Sequence, residues 1–284
     1  MPITTCQNIV SNAYTDGYAI AQLNTNGGNY DLTRAILEAA EALRSPVILG
    51  VYEKNTLYAG FPYIGTTLRL LAEEWAPNVP VAIHLDHGSS IEAAREAIAA
   101  GFTSVMYDGS KLPLEQNIAN TAEVCKLAHD KQLTCEAELG QLLLGQIDPD
   151  NPNLVNVDEV VALTERVPID MLAVAIGNSH GFYKGEPQLN MQRLREVRAA
   201  TDTPLVLHGT TGLSPQQVRD CIHLGMAKVN LGTILRTHHV EHTRAVAAEL
   251  DHQNHPWRIA QAVKEKLKAE CIEFLKIVGS DGKA

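Results

Sequence analysis

The sequence predicts an α/β fold, a closed (β/α)8 barrel with extra helices at its C-terminus. Eight short apolar runs alternate with amphipathic helical patterns along the 284 residues. Each run is rich in Val, Ile, Leu or Ala, as expected of strands that are buried on both faces of a parallel sheet. An alternation that is repeated eight times favours a closed parallel barrel over an open doubly wound sheet.

The predicted strands cover Tyr18–Leu23, Pro46–Val51, Val81–Leu85, Thr103–Tyr107, Leu133–Glu138, Met171–Ile176, Pro204–Leu207 and Ala227–Leu231. The helices predicted between them repeat apolar residues at helical spacing, at Leu32–Leu43, Ile91–Ala100, Asn117–His129, Val157–Thr164, Leu189–Ala200 and Ser214–Leu224. After the eighth strand, Thr237–Lys276 indicates two helices broken near His255 and Pro256. We expect this pair to pack outside the barrel or against another subunit.

The composition limits the classes of function. A net charge of -10, with no cluster of lysines and arginines to offset it, argues against a nucleic-acid partner. The simpler explanation of that charge is solubility. Hydrophobic residues make up 45% and charged residues 20%, which is ordinary for a globular chain. We therefore expect one barrel domain that spans residues 1–284.

Cysteine usage and the N-terminus predict a cytoplasmic protein. The five cysteines are odd in number and widely scattered, and they form no CxxC pair. Neither a zinc ribbon nor a disulfide framework is therefore indicated. The N-terminus lacks the basic and apolar regions of a signal peptide. No stretch approaches the roughly 18 apolar residues that cross a membrane, so we expect no membrane partner.

Reactive or ligand-type side chains lie at the ends of nearly all predicted strands. In a barrel of this kind, catalytic residues collect at the carboxyl ends of the strands. Only the second strand ends without such a residue, unless Glu53 is counted. The other strands carry or lead to Asn24, His84, Asp86, His87, Asp108, Glu136, Glu138, Asn178, His180, His208, Asn230 and Thr233.

Three histidines follow the third, sixth and seventh strands. A single histidine at a strand end is more often a packed residue than a ligand. His87, His180 and His208 converge on one mouth, however, and together offer three imidazole nitrogens. A fourth position is left for water or substrate, which is typical of a catalytic zinc rather than a structural one. Histidines on the helical segments, such as His238 and His242, are expected to be solvated.

Carboxylates accompany these histidines. Asp86 stands beside His87, and two interpretations remain open: it orients a histidine, or it acts as a general acid and base. Asp108 and Glu138 either hold an alternative metal position or support the ligands from behind. His84 is interpreted as a supporting partner rather than a ligand.

Glycines and hydroxyls near the histidines predict a phosphate site. Glycine lets backbone N–H groups approach an anion closely, and threonine hydroxyls add donors. The loops after strands seven and eight are a recurring phosphate site in such barrels. Glycine is also common in ordinary turns, so the prediction depends on its combination with the metal ligands. The residues concerned are Gly181, Gly209, Thr210, Thr211, Gly212 and Thr233.

The segment Gln141–Asn156 is long and rich in turn residues. We interpret it as a mobile loop. Loops of that length are often functional, and surface decoration is the other explanation.

Six segments together resemble one family. They are HLDHG (84–88), SVMYDGS (104–110), CEAELG (135–140), LAVAIGNSHGFY (172–183), PLVLHGTTGL (204–213) and KVNLGT (228–233). Their order and spacing resemble those of the class II, zinc-dependent ketose-bisphosphate aldolases, in particular the tagatose-bisphosphate and short fructose-bisphosphate branch. The resemblance extends from the N-terminus to the GSDGK tail. It implies a TIM barrel, a carbon–carbon lyase of carbohydrate metabolism, and a homo-oligomer, either dimer or tetramer.

The resemblance also implies a role for each matching residue. The three histidines would bind one catalytic Zn²⁺ per subunit, and Asp86 would move the proton on the substrate's C4 hydroxyl. Asp108 and Glu138 would lie near a secondary metal position. A monovalent cation, Na⁺ or K⁺, is usual near the substrate phosphate. The substrate and its phosphate would be contacted by Asn24, Gly181, Lys184, Gly209, Thr211, Asn230 and Thr233.

The implied chemistry is aldol cleavage. Breaking the C3–C4 bond leaves a carbanion next to a ketone, and zinc chelated by the ketone oxygen stabilises the resulting enediolate. No lysine Schiff base is then required. We expect reversible cleavage of a ketose 1-phosphate, or a ketose bisphosphate, to dihydroxyacetone phosphate and an aldehyde.

Departures from the family concern the distal half of the substrate. A serine–glutamate–glycine segment near the distal phosphate reads Tyr52-Glu53-Lys54 here, and Lys264 stands where relatives often carry an arginine that reaches a neighbouring subunit's substrate. Lysine lacks the bidentate fork of arginine. We therefore expect a distal group other than the usual phosphate. In the long loop, Asp148 is the candidate acid for proton exchange on the enediolate.

Two other functions are compatible with parts of the pattern. A metal-dependent sugar-phosphate epimerase or isomerase would also need zinc, an enediolate and a carboxylate base, but it would release no dihydroxyacetone phosphate. A non-catalytic scaffold is the other alternative, and the retention of all three histidines with Asp86 argues against it.

Overall fold

The computed structural model describes residues 2–142, 154–249 and 255–284. Its strands form a closed barrel in sequence order, and each pairs in parallel with the next. This confirms the predicted (β/α)8 barrel. The strands are β1 (Ile20–Asn24), β2 (Val47–Tyr52), β3 (Val81–Gly88), β4 (Ser104–Tyr107), β5 (Thr134–Leu139), β6 (Met171–Val174), β7 (Leu205–Leu207) and β8 (Met226–Leu231).

Helices surround the barrel and follow the last strand. They are α1 (Cys6–Asp16), α2 (Tyr30–Leu43), α3 (Thr56–Ala59), α4 (Phe61–Trp75), α5 (Ile91–Ala99), α6 (Leu114–His129), α7 (Val157–Arg166), α8 (Met191–Ala200), α9 (Pro215–His223), α10 (Thr233–Glu249) and α11 (Pro256–Val278). The C-terminal pair is present as predicted, although α10 begins four residues earlier than expected. Among the described helices, none combines the length and apolarity that crossing a bilayer requires.

Helices α1, α3 and α4 were not predicted from the sequence. Helix α1 packs its buried residues, including Cys6, Ile9 and Val10, against inward-facing apolar side chains near the amino ends of the strands, such as Ile20 and Val206. It therefore closes that end of the barrel. The opposite end is left for functional groups.

The barrel interior changes from apolar to polar along the strands. On β3, the buried residues Ala82, His84 and Asp86 are two positions apart, so their side chains lie on the same face of the strand. Val206 on β7 and His208, which directly follows β7, are likewise two positions apart and both buried. Because the apolar residues meet at the end closed by α1, the polar residues are directed to the open, carboxyl end.

A partly buried charge cluster joins α11 to α2. The carboxylate of Glu38 on α2 accepts hydrogen bonds from Lys264 Nζ and Lys268 Nζ, each at 2.9 Å, and from Arg34 Nε at 2.7 Å. Lys264 is nearly buried and also pairs with Glu265 at 2.7 Å. The side chain expected to stand in for an arginine that reaches a neighbouring subunit is therefore held within its own chain.

Replacing Glu38 tests this anchor. Burial raises the pKa of Glu38, but the hydrogen bonds from Lys264, Lys268 and Arg34 outweigh it and lower the pKa from 4.5 to about 2. A lowered carboxyl pKa stabilises the fold above pH 4.5 and loses that effect as the pH falls towards 2. We expect Glu38→Gln to lower the free energy of unfolding by about 2 kcal/mol at neutral pH.

Urea unfolding of both proteins between pH 7 and pH 3 measures this difference, which should shrink by more than half over that range. Glu74→Gln removes an exposed carboxylate from α4 and is the matched control. A difference that stays constant with pH would contradict the charge account.

Candidate active site

The carboxyl ends of the strands enclose a cavity of about 700 Å³. Apart from Lys184 and Gly212, the structure brings the predicted site residues together there. The side chain of Lys184 is exposed and lies outside the cavity lining. Gly212 lines a neighbouring cavity instead. Asp148 falls outside the described residues. The lining includes Asn24, Asp86, His87, Asp108, Glu138, His180, Gly181, His208, Gly209, Thr211, Asn230 and Thr233.

Three histidines form the centre of the cavity. The ring centroids of His180 and His208 each lie 4.8 Å from that of His87. An irregularity in the pairing of β3 with β4 falls between Leu85 and Gly88, and His87 itself has a left-handed φ of 54°. Adjacent strand residues normally point to opposite faces. The irregularity lets Asp86 and His87 both face the cavity.

Carboxylates behind two of the histidines fix which ring nitrogen is free. Asp108 Oδ2 lies 2.9 Å from His87 Nδ1, and Glu136 Oε1 lies 2.9 Å from His208 Nε2. A carboxylate accepts a hydrogen bond, so these nitrogens carry the protons. The remaining nitrogens, His87 Nε2 and His208 Nδ1, face one another at 3.0 Å.

This arrangement fits a cation. Two nitrogen lone pairs that face each other repel, and one shared positive ion removes the repulsion. One nitrogen from each of His87, His180 and His208 lies within 4.8 Å of the others. Three neutral imidazoles with an open fourth position are the ligand set of a catalytic zinc.

The charges around the histidines agree with a cation at this position. Burial lowers the pKa of His180 to about 3, and the neighbouring His87 and His208 lower it further. Burial also lowers the pKa of His208. Burial would lower the pKa of His87 too, but the negative charges of Asp86, Asp108 and Glu138 raise it to about 10. The cavity therefore favours positive charge next to His87.

A buried network lies beneath the histidines. Glu136 Oε2 pairs with Lys228 Nζ at 2.7 Å, while the other oxygen holds His208. His84 is fully buried, its Nδ1 lies 2.8 Å from Ser104 Oγ, and burial followed by the charge of Lys228 lowers its pKa to about 3. Lys228 was not predicted as a site residue from the sequence. A lysine inside an otherwise apolar strand was the available signal, because a buried charge needs a partner.

Asp86 is held in one position by two amides. Its Oδ2 accepts from Asn24 Nδ2 at 2.8 Å, and its Oδ1 accepts from Asn230 Nδ2 at 3.2 Å. Burial raises the pKa of Asp86, but His87, His208 and Lys228 lower it well below its usual range. Gly50 leaves room for the Asn24 side chain, since a Cβ there would lie 2.0 Å from Asn24 Oδ1. Asp86 is thus an ionised, oriented carboxylate.

Asp108 and Glu138 meet on the far side of His87. Glu138 Oε2 lies 3.5 Å from His87 Nδ1, and burial followed by the charge of Asp108 raises the pKa of Glu138. The contact of Asp108 with His87 supports the orienting role. These two carboxylates and His87 also form a second possible ligand group, so the secondary metal position stays a prediction.

The loops after β6 and β7 are tied to one another. Tyr183 Oη accepts from the backbone N–H of Ser179 at 2.9 Å and donates to the carbonyl of Gly209 at 2.8 Å. Gly209 has a left-handed φ of 66°, and a Cβ there would lie 2.4 Å from the Ser179 carbonyl oxygen. Thr210 Oγ1 donates to the carbonyl of Asn230 at 2.5 Å. Glycine therefore lets two backbones approach at one side of the cavity.

Comparisons with known proteins agree with this geometry. The family model for class II fructose-bisphosphate aldolase matches residues 4–283. The chain is 39% identical to fructose-bisphosphate aldolase of Geobacillus stearothermophilus over 100% of this chain and 99% of that one. It is 39% identical to fructose-bisphosphate aldolase of Staphylococcus aureus strain Mu50 over 96% and 98%. The solved YdjI aldolase of Escherichia coli K12 is 33% identical, with a TM-score of 0.87 and 99% of each chain covered.

The fold is that of an aldolase, an enzyme that cleaves a carbon–carbon bond, and the three-histidine group could hold a metal ion. The chain belongs to the class II fructose-bisphosphate aldolase family. Class II aldolases are zinc-dependent, and the three-histidine group fits that ion.

Removing Asp108 tests the orientation of His87. In Asp108→Ala, the His87 ring loses the acceptor that fixes its proton on Nδ1. We expect a 10–100-fold loss of zinc affinity, in the range usual for a residue behind a metal ligand. Competition with a coloured chelator measures the affinity.

Ser110→Ala is the matched control, because Ser110 Oγ donates to Asp108 at 2.7 Å and, among the residues that the structure describes, hydrogen-bonds to no histidine. Its zinc affinity should stay close to that of the parent. Unchanged affinity in Asp108→Ala would show that Asp108 does not orient the ligand.

Proposed function

We propose that the protein reversibly cleaves a ketose 1-phosphate into dihydroxyacetone phosphate and an aldehyde. The observation that carries this proposal is the pairing of a three-histidine group with the oriented carboxylate of Asp86 in one cavity. We further propose one zinc ion per subunit, held by His87, His180 and His208. When bound, zinc would stabilise the negative charge that develops on the ketone oxygen.

Asp86 is the proposed acid and base. As an ionised carboxylate it takes the proton from the substrate's C4 hydroxyl when the C3–C4 bond breaks. The electron pair of that bond passes to C3 and is delocalised into the neighbouring ketone, which gives an enediolate. In the synthetic direction Asp86 returns the proton to the new hydroxyl. Asn24 and Asn230 keep its two oxygens in place throughout.

The C1 phosphate is proposed to bind at the loops after β6, β7 and β8. The cavity lining there contains Gly181, Gly209, Thr211 and Thr233. Their N–H and hydroxyl groups are donors suited to an anion, and Thr233 begins α10, whose helix dipole favours negative charge. A monovalent cation, Na⁺ or K⁺, near this phosphate is part of the proposal.

The distal end of the cavity supports a substrate without a second phosphate. Glu53 lies in the lining, and its carboxylate accepts from the Ser89 N–H at 2.5 Å and from Ser89 Oγ at 3.0 Å. Donors just before α5 are therefore already occupied, and a fixed negative charge stands beside them. Lys54, Lys111 and Arg236 also line the cavity, and these cations suit an anionic distal group, a carboxylate as well as a phosphate.

The relatives are named for another substrate. The relatives from Geobacillus stearothermophilus and Staphylococcus aureus are named fructose-bisphosphate aldolase. A ketose 1,6-bisphosphate is therefore the competing substrate for this chain. A cytoplasmic homo-oligomer, dimer or tetramer, is also proposed. Exposed apolar side chains on α3 and α4 support an interface between subunits, namely Leu57, Tyr58, Tyr63 and Leu70.

A substrate panel tests the proposal. Fructose and tagatose 1-phosphates, their 1,6-bisphosphates and a ketose 1-phosphate ending in a carboxylate are compared, with dihydroxyacetone phosphate reduced by a coupled dehydrogenase. We expect kcat/KM for at least one monophosphate to exceed that of both bisphosphates by about tenfold or more, a difference of about 1.4 kcal/mol in transition-state binding.

Two controls identify the source of the signal. Asp86→Asn should lower kcat by about 10²–10⁴-fold on every substrate, and a zinc chelator should abolish turnover. Faster cleavage of either bisphosphate than of every monophosphate would overturn the proposed distal specificity. Turnover without release of dihydroxyacetone phosphate would overturn aldol cleavage itself.

A further inference from the structure

A second cluster of metal-ligating side chains lies between the two C-terminal helices. His238 and His242 on α10 face Glu270 on α11, and we call these three residues the helix-pair cluster. Glu270 Oε2 lies 2.9 Å from His238 Nδ1, and Glu270 Oε1 lies 2.7 Å from His242 Nε2. The two imidazole centroids are 5.7 Å apart. These histidines were expected to be solvated, but the structure shows each of them bound to a carboxylate.

The spacing of the cluster is that of a metal site. Residues four apart lie on one face of a helix, so His238 and His242 present neighbouring nitrogens. One nitrogen from each histidine and one oxygen of Glu270 lie within 4.8 Å of one another. Two imidazoles and one carboxylate are three of the four ligands that zinc takes in a tetrahedral site.

The exposure of the cluster suits exchange with solvent. The side chains of His238, His242 and Glu270 are 32%, 25% and 31% exposed. An ion can therefore enter, and a water molecule can supply the fourth ligand. Imidazole nitrogens select zinc, cobalt or nickel over magnesium and calcium, which prefer oxygen ligands.

We propose that the helix-pair cluster binds a divalent transition-metal ion, with zinc the best match, at a site separate from the catalytic cavity. The ion would replace hydrogen-bonded contacts between α10 and α11 with coordinate bonds from both helices. Its role is to fix α10 against α11, which is itself anchored to α2 through Glu38.

The position of α10 gives this clamp a consequence for the active site. The helix begins at Thr233, which lines the catalytic cavity. A second cavity has a volume of about 440 Å³. Its lining includes His238 and Glu270 of the cluster and also Thr210 and Thr211 of the loop after β7. An ion at the cluster would therefore hold the helix whose first residue is proposed to contact phosphate.

Zinc stoichiometry tests the site without relying on turnover. The purified full-length protein is loaded with excess zinc, desalted and analysed by mass spectrometry for metal and by amino-acid analysis for protein. We expect His242→Gln and Glu270→Gln each to hold one zinc ion per chain fewer than the parent. His239→Gln, which removes a neighbouring histidine of α10 outside the cluster, should hold the same number as the parent.

A catalytic-site variant separates this proposal from the proposed function. His180→Ala should lose the catalytic ion and keep the one at the cluster, and combining it with His242→Gln should remove both. Loading with zinc should raise Tm in His180→Ala and leave Tm unchanged in the double variant. Aldolase activity retained by His242→Gln shows that this variant is folded.

Two outcomes overturn the proposal. One is equal zinc content in the parent, His242→Gln and Glu270→Gln, which would leave the cluster as a hydrogen-bonded contact only. The other is loss of one zinc ion in His239→Gln as well, which would show a general effect of altering α10 rather than ligation by the cluster.

Discussion

The site depends on two carboxylate–histidine contacts. Asp108 accepts a hydrogen bond from His87 Nδ1, and Glu136 accepts one from His208 Nε2. The lone pairs of the other two nitrogens, His87 Nε2 and His208 Nδ1, therefore point to the same space. Without these acceptors either ring could rotate or change tautomer. The 3.0 Å approach of the two nitrogens is favourable when a proton or a metal ion lies between them. The other residues of the cavity therefore depend on one constraint, which is that these histidine lone pairs converge.

The barrel supplies this constraint by dividing its interior. Apolar side chains and α1 close one end, and polar side chains accumulate towards the other. Glu136 can stay ionised in the interior because burial, which raises its pKa, is outweighed first by the charge of Lys228 and then by its bond to His208. That buried pair is costly to form but strongly directional. It couples the position of β8 to His208, which directly follows β7.

Sequence patterns predicted which histidines meet in the cavity better than they predicted the residues that hold those histidines in place. His87 and His208 could be found because parallel strands end at one rim, so strand-end residues meet whatever the helices do. The role of Lys228 depends on register across the barrel, which one sequence does not reveal. Lys184 was expected near the phosphate on resemblance alone, and its exposed side chain lies outside the cavity. The pairing of His238 with Glu270 required knowing how two distant helices pack.

X-ray absorption at the zinc edge tests the central claim most directly. The His242→Gln variant is the sample, because it leaves the catalytic site as the dominant source of signal. Three imidazole nitrogens at about 2.0–2.1 Å, with a water or substrate oxygen as the remaining ligand, are the predicted first coordination shell. A shell containing sulfur, or one of oxygens without imidazole scattering, would contradict the convergence of the three histidines on one ion.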